Sequence, residues 1–570
     1  MVADRRGRLF VHALYLALSL LFATRFFTLL HPGSHAMTGG DPALMCWTLQ
    51  WVSRALVHDP WQLYAGNAFF PYPHAVILTD PMVSLAVLNV PVRLLTSHPW
   101  VGYNLLIVAA YYLSCVGGAA LTHEVTGSKI AAVWGGVFWG FLFFRVHHIG
   151  HLQILSYQWI PLAIAALLRF WRRPGVGTAM MFVLAFVAQA LVSWYLAVIL
   201  VVALAVVALS RPLSEIVARP LVRYYALIAG VSAAAILPFA LPYRAGFTDS
   251  TLGERTSLAG SFGDAVHVLD YLTPPVSTLP GRLITDNPYW IWGENTLYIG
   301  FVPLVLAAIA LVAAVRRRES IDRRWVLCGL ALVATGYVLA LGFVSPSLGV
   351  RLPLHYGAQL FPVLAGMRAT QRFSLVLYVG VLLLSGVGLT QLVTSWSRRW
   401  QIATCAVLCA VFLVEVFPVN LPVHASAKYT LSAPDRFIAQ YQKARTEPLV
   451  VLHLPIFYFL EPYPTEEATY MVDSTAHWAR ILNGFSGGVP NGFMERMTTL
   501  KDLPSMPAVR LLLDLGVDVI AVHRQAQPRS GDVIEFFNGR EWASIVRLPN
   551  DEFVVLIDQA RAHRAFAAAS

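Results

Sequence analysis

Apolar stretches of about twenty residues, parted by short polar segments, fill the first four hundred positions, and that spacing predicts membrane-spanning helices. They run Leu9 to Leu30, Gly102 to Leu121, Ile130 to Phe144, Ile154 to Trp171, Thr178 to Ser210, Tyr224 to Leu241, Leu297 to Val315, Trp325 to Val344, Phe373 to Val393 and Trp400 to Val419. From about Leu421 the pattern turns mixed and charged. Pro448 to His453 and Val517 to Val522 read as short strands, Ala508 to Leu515 as the helix feeding the second, and Ser544 to Ile557 as a hairpin. The expected architecture is an all-α polytopic membrane domain over residues 1–420 followed by a small α/β domain over residues 421–570.

Charge orients these elements. Arg5, Arg6 and Arg8 precede the first stretch and place its start in the cytoplasm. No small-residue cleavage site follows a short apolar core there, so the segment reads as a retained helix. Thr178 to Ser210 is too long for one span, and arginines flank it on both sides: Arg172-Arg173 before, Arg211, Arg219 and Arg223 after. Both flanks are then cytoplasmic, which predicts a hairpin of two short helices turning near Ser193-Trp194-Tyr195. If Pro81 to Leu95 also crossed, the later arginine clusters Arg316-Arg317-Arg318 and Arg323-Arg324 would move outside. Opened by Asp80 and interrupted by Pro91 and Arg93, it reads instead as an interfacial helix of a long first external loop, residues 31–101. About eleven spans result, in a multi-pass protein of the inner (plasma) membrane with its N-terminus cytoplasmic and its C-terminal domain outside.

Composition agrees: 57% of residues are hydrophobic and 13% charged, which excludes an ordinary soluble chain. The net charge of +10 follows from loop arginines that fix orientation and does not call for nucleic acid. Cys46, Cys115, Cys328, Cys405 and Cys409 lie mostly in apolar segments without metal-type spacing, as buried small hydrophobes do.

Candidate chemistry gathers in the predicted external regions. Asp41, in Gly39-Gly40-Asp41-Pro42 just beyond the first span, is an acid at a membrane surface, and Asp before Pro is also a good helix start. Asp80 is either a second acid or a cap. Glu294 lies beside Trp290 and Trp292 at the mouth of a span, positioned for sugar hydroxyls or an acceptor. Arg255, Arg368 and Arg372 fall close to span ends, where a guanidinium fork would meet a lipid phosphate. His147, His148 and His151 form the densest histidine cluster, and His147 and His151 would share a face if the helix continued through them. A metal there would need a carboxylate from elsewhere, so the cluster reads as substrate or phosphate contacts.

Several local patterns resemble the GT-C superfamily of polyprenyl-phosphate-sugar-dependent membrane glycosyltransferases, in particular bacterial multi-span members with an external C-terminal domain. They are Gly40-Asp41 opening the first loop, Gly150-His151-Leu152-Gln153 with Trp159-Ile160-Pro161-Leu162, Glu294-Asn-Thr-Leu-Tyr-Ile-Gly300 before a span, Arg368-Ala-Thr-Gln-Arg372-Phe373, and His477-Trp478 followed by Asn483-Gly-Phe-Ser-Gly487. The resemblance covers roughly the first four hundred residues. It implies inverting transfer of a sugar from a polyprenyl-phosphate carrier to a glycan, lipid or protein acceptor. On it, Asp41 is the base that deprotonates the acceptor, with Asp80 and Glu294 as further catalytic candidates, while His151, Gln153, Arg255, Arg368 and Arg372 contact substrate and phosphate. Many relatives carry paired acids where this chain has Pro42 after Asp41, which speaks against a metal-bridged mechanism; no cofactor is called for. A transporter or lipid flippase would keep ionisable groups near mid-membrane, whereas here the predicted helix centres are almost free of charge. A non-catalytic accessory protein of envelope assembly with the same architecture is the other alternative.

Overall fold

The computed structural model describes residues 2–27, 31, 33–35, 39–217, 219–252, 266–284, 294–316, 323–345, 349–419, 429–459, 466–523 and 530–569. The chain divides into two compact units: Met1–Phe26, Leu105–Ala240 and Thr256–Val423 form the first, and Phe27–Asn104, Leu241–Arg255 and His424–Ser570 the second.

The first unit is helical. Among the described residues, eight helices are long and apolar enough to cross a membrane, including Pro99–Thr126, which starts in residues of the second unit, and Arg5–Ala23, Leu221–Ala240, Arg323–Ala340, Thr370–Val393 and Arg398–Val416. The first helix ends at Ala23, earlier than the Leu30 expected from hydropathy. The long stretch from Thr178 resolves into helices Val176–Ala190 and Trp194–Leu209, joined by a turn just before Tyr195. At the centre, Ser374–Val393 is buried along nearly its whole length and packs against Phe301–Arg316 and Arg323–Ala340. Close approach sets this packing: a Cβ at Gly388 would lie 1.8 Å from the Leu306 carbonyl oxygen, so only hydrogen fits there.

The second unit is built on a five-stranded sheet of order β2-β1-β3-β5-β4, with β1 Val450–Leu454, β2 Arg480–Ile481, β3 Val519–Val522, β4 Ala543–Arg547 and β5 Phe553–Ile557. β1 runs parallel to β2 and β3, and β5 is antiparallel to both β3 and β4. The apolar runs read as strands become β1 and β3, buried at every position, as strands covered on both faces must be. The helix before β3 spans Met506–Asp514.

The long first loop is part of this unit's core. Its helix Gly40–His58 is buried almost all round and packs on Glu467–Asp473 and Val83–Leu95. Thr48 and Ser53 make this possible by returning their hydroxyls to the Leu44 and Leu49 carbonyls. Further on, the loop lies along the free edge of β2: the Phe70 N–H donates to the Ile481 carbonyl at 3.0 Å, and the Ile481 N–H to the Asn67 carbonyl at 2.7 Å. The Asn67 side chain is buried and locked, accepting from Trp47 Nε1 at 2.9 Å and donating to Ser474 Oγ and the Ala479 carbonyl. The segment expected to start at Pro81 becomes a helix only at Val83, after Met82 in a left-handed conformation.

Candidate active site

In the first unit the site grows from breaks in helical structure. The helix Lys129–Gly140 stops, and the chain continues as single turns, Phe144–His147, His148–Gly150 and Leu152–Leu155. Arg145 braces this irregular stretch. Fully buried between the rings of Tyr111 and Tyr157, its guanidinium donates to the Leu155 carbonyl at 2.6 Å and Ser114 Oγ at 2.7 Å. Because the helix does not continue, His147 and His151 do not share a helical face, and His148 is the ring that reaches the acid.

Glu294 opens an extended segment ahead of Phe301–Arg316. Tyr378 holds that segment through its hydroxyl on the Leu297 carbonyl. Its last residue, Gly300, takes φ +96°, a conformation that suits glycine, and a Cβ there would meet the carboxylate of Glu415, which accepts the Phe301 N–H at 3.0 Å and so caps the helix from outside. Arg372 stands in the short turn Thr370–Phe373 leading into the central helix. It meets Glu294 side-on, Nη2 to Oε1 at 2.6 Å and Nε to Oε2 at 3.2 Å, and both side chains are only 11% exposed. His148 Nε2 lies 3.2 Å from the same Oε2, while its Nδ1 lies 2.9 Å from the Phe144 carbonyl. Both ring nitrogens thus face oxygen acceptors. A neutral ring can donate to only one of them.

Electrostatics fix the state of Glu294. Burial pushes its carboxyl up, but the Arg372 guanidinium and the His148 ring outweigh that and hold it well below the usual carboxylate range. It therefore stays ionised and suits an orienting anion better than a proton-transfer group. Tyr195, at the hairpin turn, stacks under Arg372 with the guanidinium 5.1 Å from its ring centre, and its hydroxyl accepts the Ala369 N–H at 3.0 Å. The hairpin thereby ties down the Arg368 to Arg372 segment, where Arg368 is half-buried. His151 is half-buried 5.9 Å from the His148 ring, and Gln153 is buried with its Oε1 unpartnered. Glu294, Arg372, Arg368, His151 and Gln153 all belong to this unit; Arg255, Trp290 and Trp292 lie outside the described residues. Sequence reasoning passed over Tyr195 and Arg145. The signal for both was a polar side chain inside or beside an apolar stretch.

Asp41 and Asp80 belong to the second unit. The helix carrying Asp41 begins at Gly40 with Gly39 as N-cap, so Asp41 is not the cap; it sits half-buried in the first turn, where exposed backbone N–H groups favour a carboxylate. Asp80 stands three residues ahead of its helix, whose N-cap is Met82, and does not cap it either.

A second group of titratable side chains lies wholly inside this unit. Asp435 Oδ1 accepts from His477 Nε2 at 3.0 Å and lies 3.8 Å from His453 Nε2, and its other oxygen takes the Ser432 hydroxyl. His453 Nδ1 is 3.1 Å from His523 Nε2, and His523 Nδ1 is 3.6 Å from Glu552. Among the described residues, Asp435, His453 and His477 are the one set of potential metal ligands with atoms within 4.8 Å of one another. They do not suit a metal. His477 Nδ1 accepts the Ala479 N–H at 3.0 Å, so the ring hydrogen sits on Nε2 and points at Asp435, leaving no lone pair for an ion. The group is a hydrogen-bonded network.

Burial outweighs Asp435 and lowers His453 to about 3, against an ordinary value near 6.5. The unfolded chain therefore binds a proton that the fold refuses. The stabilisation is complete above pH 6.5 and is lost as pH falls from there toward 3, at about 1.4 kcal/mol per pH unit for one group. In His453→Gln the deficit relative to wild type should shrink steadily between pH 6.5 and 4 in thermal melts; a deficit independent of pH would contradict the assignment.

The fold is that of the GT-C glycosyltransferases. The arabinofuranosyltransferase AftD from Mycobacteria superposes on 96% of this chain with a TM-score of 0.56 at 14% identity, and the apo oligosaccharyltransferase of Archaeoglobus fulgidus on 90% with a TM-score of 0.51 at 12% identity. The chain spans 40% of the mycobacterial enzyme's length and 69% of the archaeal one's. Within that fold it belongs to the family described as Domain of unknown function (DUF6311), which matches residues 13–417. No curated protein matches it.

Proposed function

We propose that this protein is a membrane glycosyltransferase that moves a sugar from a polyprenyl-phosphate donor, reached through the bilayer, to an extracytoplasmic glycan, lipid or protein acceptor. The observation that carries the reading is the fold shared with two glycosyltransferases over at least 90% of the chain. The buried Glu294, Arg372 and His148 cluster supports it, since an orphan structural helix bundle has no need for such a group.

Asp41 is the base that takes the acceptor hydroxyl's proton as it attacks the anomeric carbon, and a single displacement inverts that centre. Arg372, oriented by Glu294 and Tyr195, and Arg368 and Arg255 stabilise charge on the departing phosphate, while His151 and Gln153 contact donor or phosphate. Asp80 is a secondary acid. The direct test is transfer of a radiolabelled sugar by the purified protein from a panel of polyprenyl-phosphate sugars. Recovery of intact donor with no glycosylated product across the panel would favour a transporter or accessory protein.

The proposed topology places the N-terminus in the cytoplasm and residues 421–570 outside the inner membrane. All five native cysteines are buried, so background labelling is low. A cysteine at the exposed position Ala476 should react with an impermeant thiol reagent on intact cells, and one at exposed Arg173 should not. The reverse pattern would invert the orientation.

A further inference from the structure

Two arginines of the first loop gather on one indole of the C-terminal segment. Arg54, on the helix Gly40–His58, and Arg93, near the end of Val83–Leu95, each place the guanidinium carbon 5.0 Å from the ring centre of Trp478. Both are half-buried, and among the described residues neither pairs with a carboxylate. Arg93 is aimed by Gln50, whose Oε1 accepts from Nη1 at 3.3 Å while its amide nitrogen is fixed on the Pro99 carbonyl at 2.8 Å. Trp51 packs edge-on against the same indole.

Trp478 is itself held in an unusual pose. It takes φ +57°, which a bulky residue adopts only when its surroundings enforce it. The enforcement is visible: the preceding His477 ring is clamped between Asp435 and the Ala479 N–H, and the Trp478 N–H donates to the Ser474 carbonyl at 2.7 Å. A strained indole is thus kept where two like charges meet. Cation–π attraction offsets part of their repulsion but leaves two net positive charges close together.

We propose that Arg54, Arg93 and Trp478 form a phosphate-binding site. Guanidinium forks suit phosphate oxygens, and a dianion or monoanion at this place neutralises a pair that no carboxylate among the described residues serves. The helix bearing Arg93 also exposes Val87, Leu88, Leu94 and Leu95, the last two 73% and 88% exposed, which is the apolar side an interfacial helix sets into lipid. The phosphate therefore comes either from a lipid or from solution. The site lies wholly within the second unit and stands whether or not sugar transfer takes place.

The test titrates the full-length protein in detergent with inorganic phosphate and with decyl phosphate, decanol serving as control, at constant ionic strength. Saturable binding of inorganic phosphate identifies a soluble phosphate as ligand, and binding of decyl phosphate alone identifies a lipid-borne one. Arg54→Gln with Arg93→Gln should weaken the bound probe about ten- to hundredfold, the usual loss when charge-assisted hydrogen bonds are removed. Exposed Arg480→Gln should leave it unchanged. If the double variant does not fold, the two single variants decide by the same comparison. The proposal fails if wild type binds neither probe, if the arginine variants bind as wild type does, or if Arg480→Gln loses as much as they do.

Discussion

Asp41→Asn is expected to lower sugar transfer by about two to four orders of magnitude, the usual loss when a general base is removed, while the protein remains folded. The structure sharpens this contrast. Asp41 does not cap its helix: Gly39 is the N-cap, and Gly40 begins the helix at φ +62°. Asparagine keeps the size of the side chain and loses only its charge and its ability to take a proton. The loss of the carboxylate's interaction with the helix N-terminus costs about 0.3–1 kcal/mol of stability. Turnover of purified, monodisperse wild type and variant, measured together with thermal midpoints, separates the two effects. Near-normal turnover in the variant would remove Asp41 from the chemistry.

The second large effect is expected at the ion pair. Arg372→Met leaves the Glu294 carboxylate buried with His148 as its remaining ring partner, and stranding a buried charge costs about 3–5 kcal/mol. Thermal unfolding in detergent should show a marked loss of stability. Adding Glu294→Leu removes the stranded charge and should restore much of it, because an apolar pair of similar volume often replaces a buried ion pair without penalty. Transfer activity should not return with the stability, since the double variant folds without the guanidinium proposed to meet phosphate. A double variant that regains both would make the pair purely structural.

How much of this the sequence disclosed depends on the range of each interaction. The hairpin at Val176–Ala190 and Trp194–Leu209 was legible because arginines on both flanks decide it locally. β1 and β3 were legible because a buried strand is a short apolar run wherever it lies. The burial of the helix Gly40–His58 was not legible because the helix that covers it, Glu467–Asp473, comes some four hundred positions later. His148 was obscured for a more local reason: a shared face for His147 and His151 required the helix to continue, and the chain breaks into single turns there. Glu294 and Arg372 were each singled out, but nothing in their neighbourhoods announced that they bind each other. The Asp435, His453, His477 and His523 network was invisible, since its members sit on four separate elements and share no spacing.

The backbone bonds between the Asn67 to Phe70 segment and β2 carry a consequence for biosynthesis. Asn67 and Ala479, joined by one of the side-chain hydrogen bonds at this edge, are 412 positions apart. At about 5–20 residues per second, the first loop leaves the ribosome roughly 20–80 s before the strand it pairs with exists. Throughout that interval the helix Gly40–His58 has Val83–Leu95 beside it but lacks the cover of Glu467–Asp473, and that uncovered side is exposed to proteases and to other nascent chains. A nonsense mutation anywhere before β2 would leave the loop without its partner as well as deleting the downstream residues, so early and late truncations should be cleared from the cell alike.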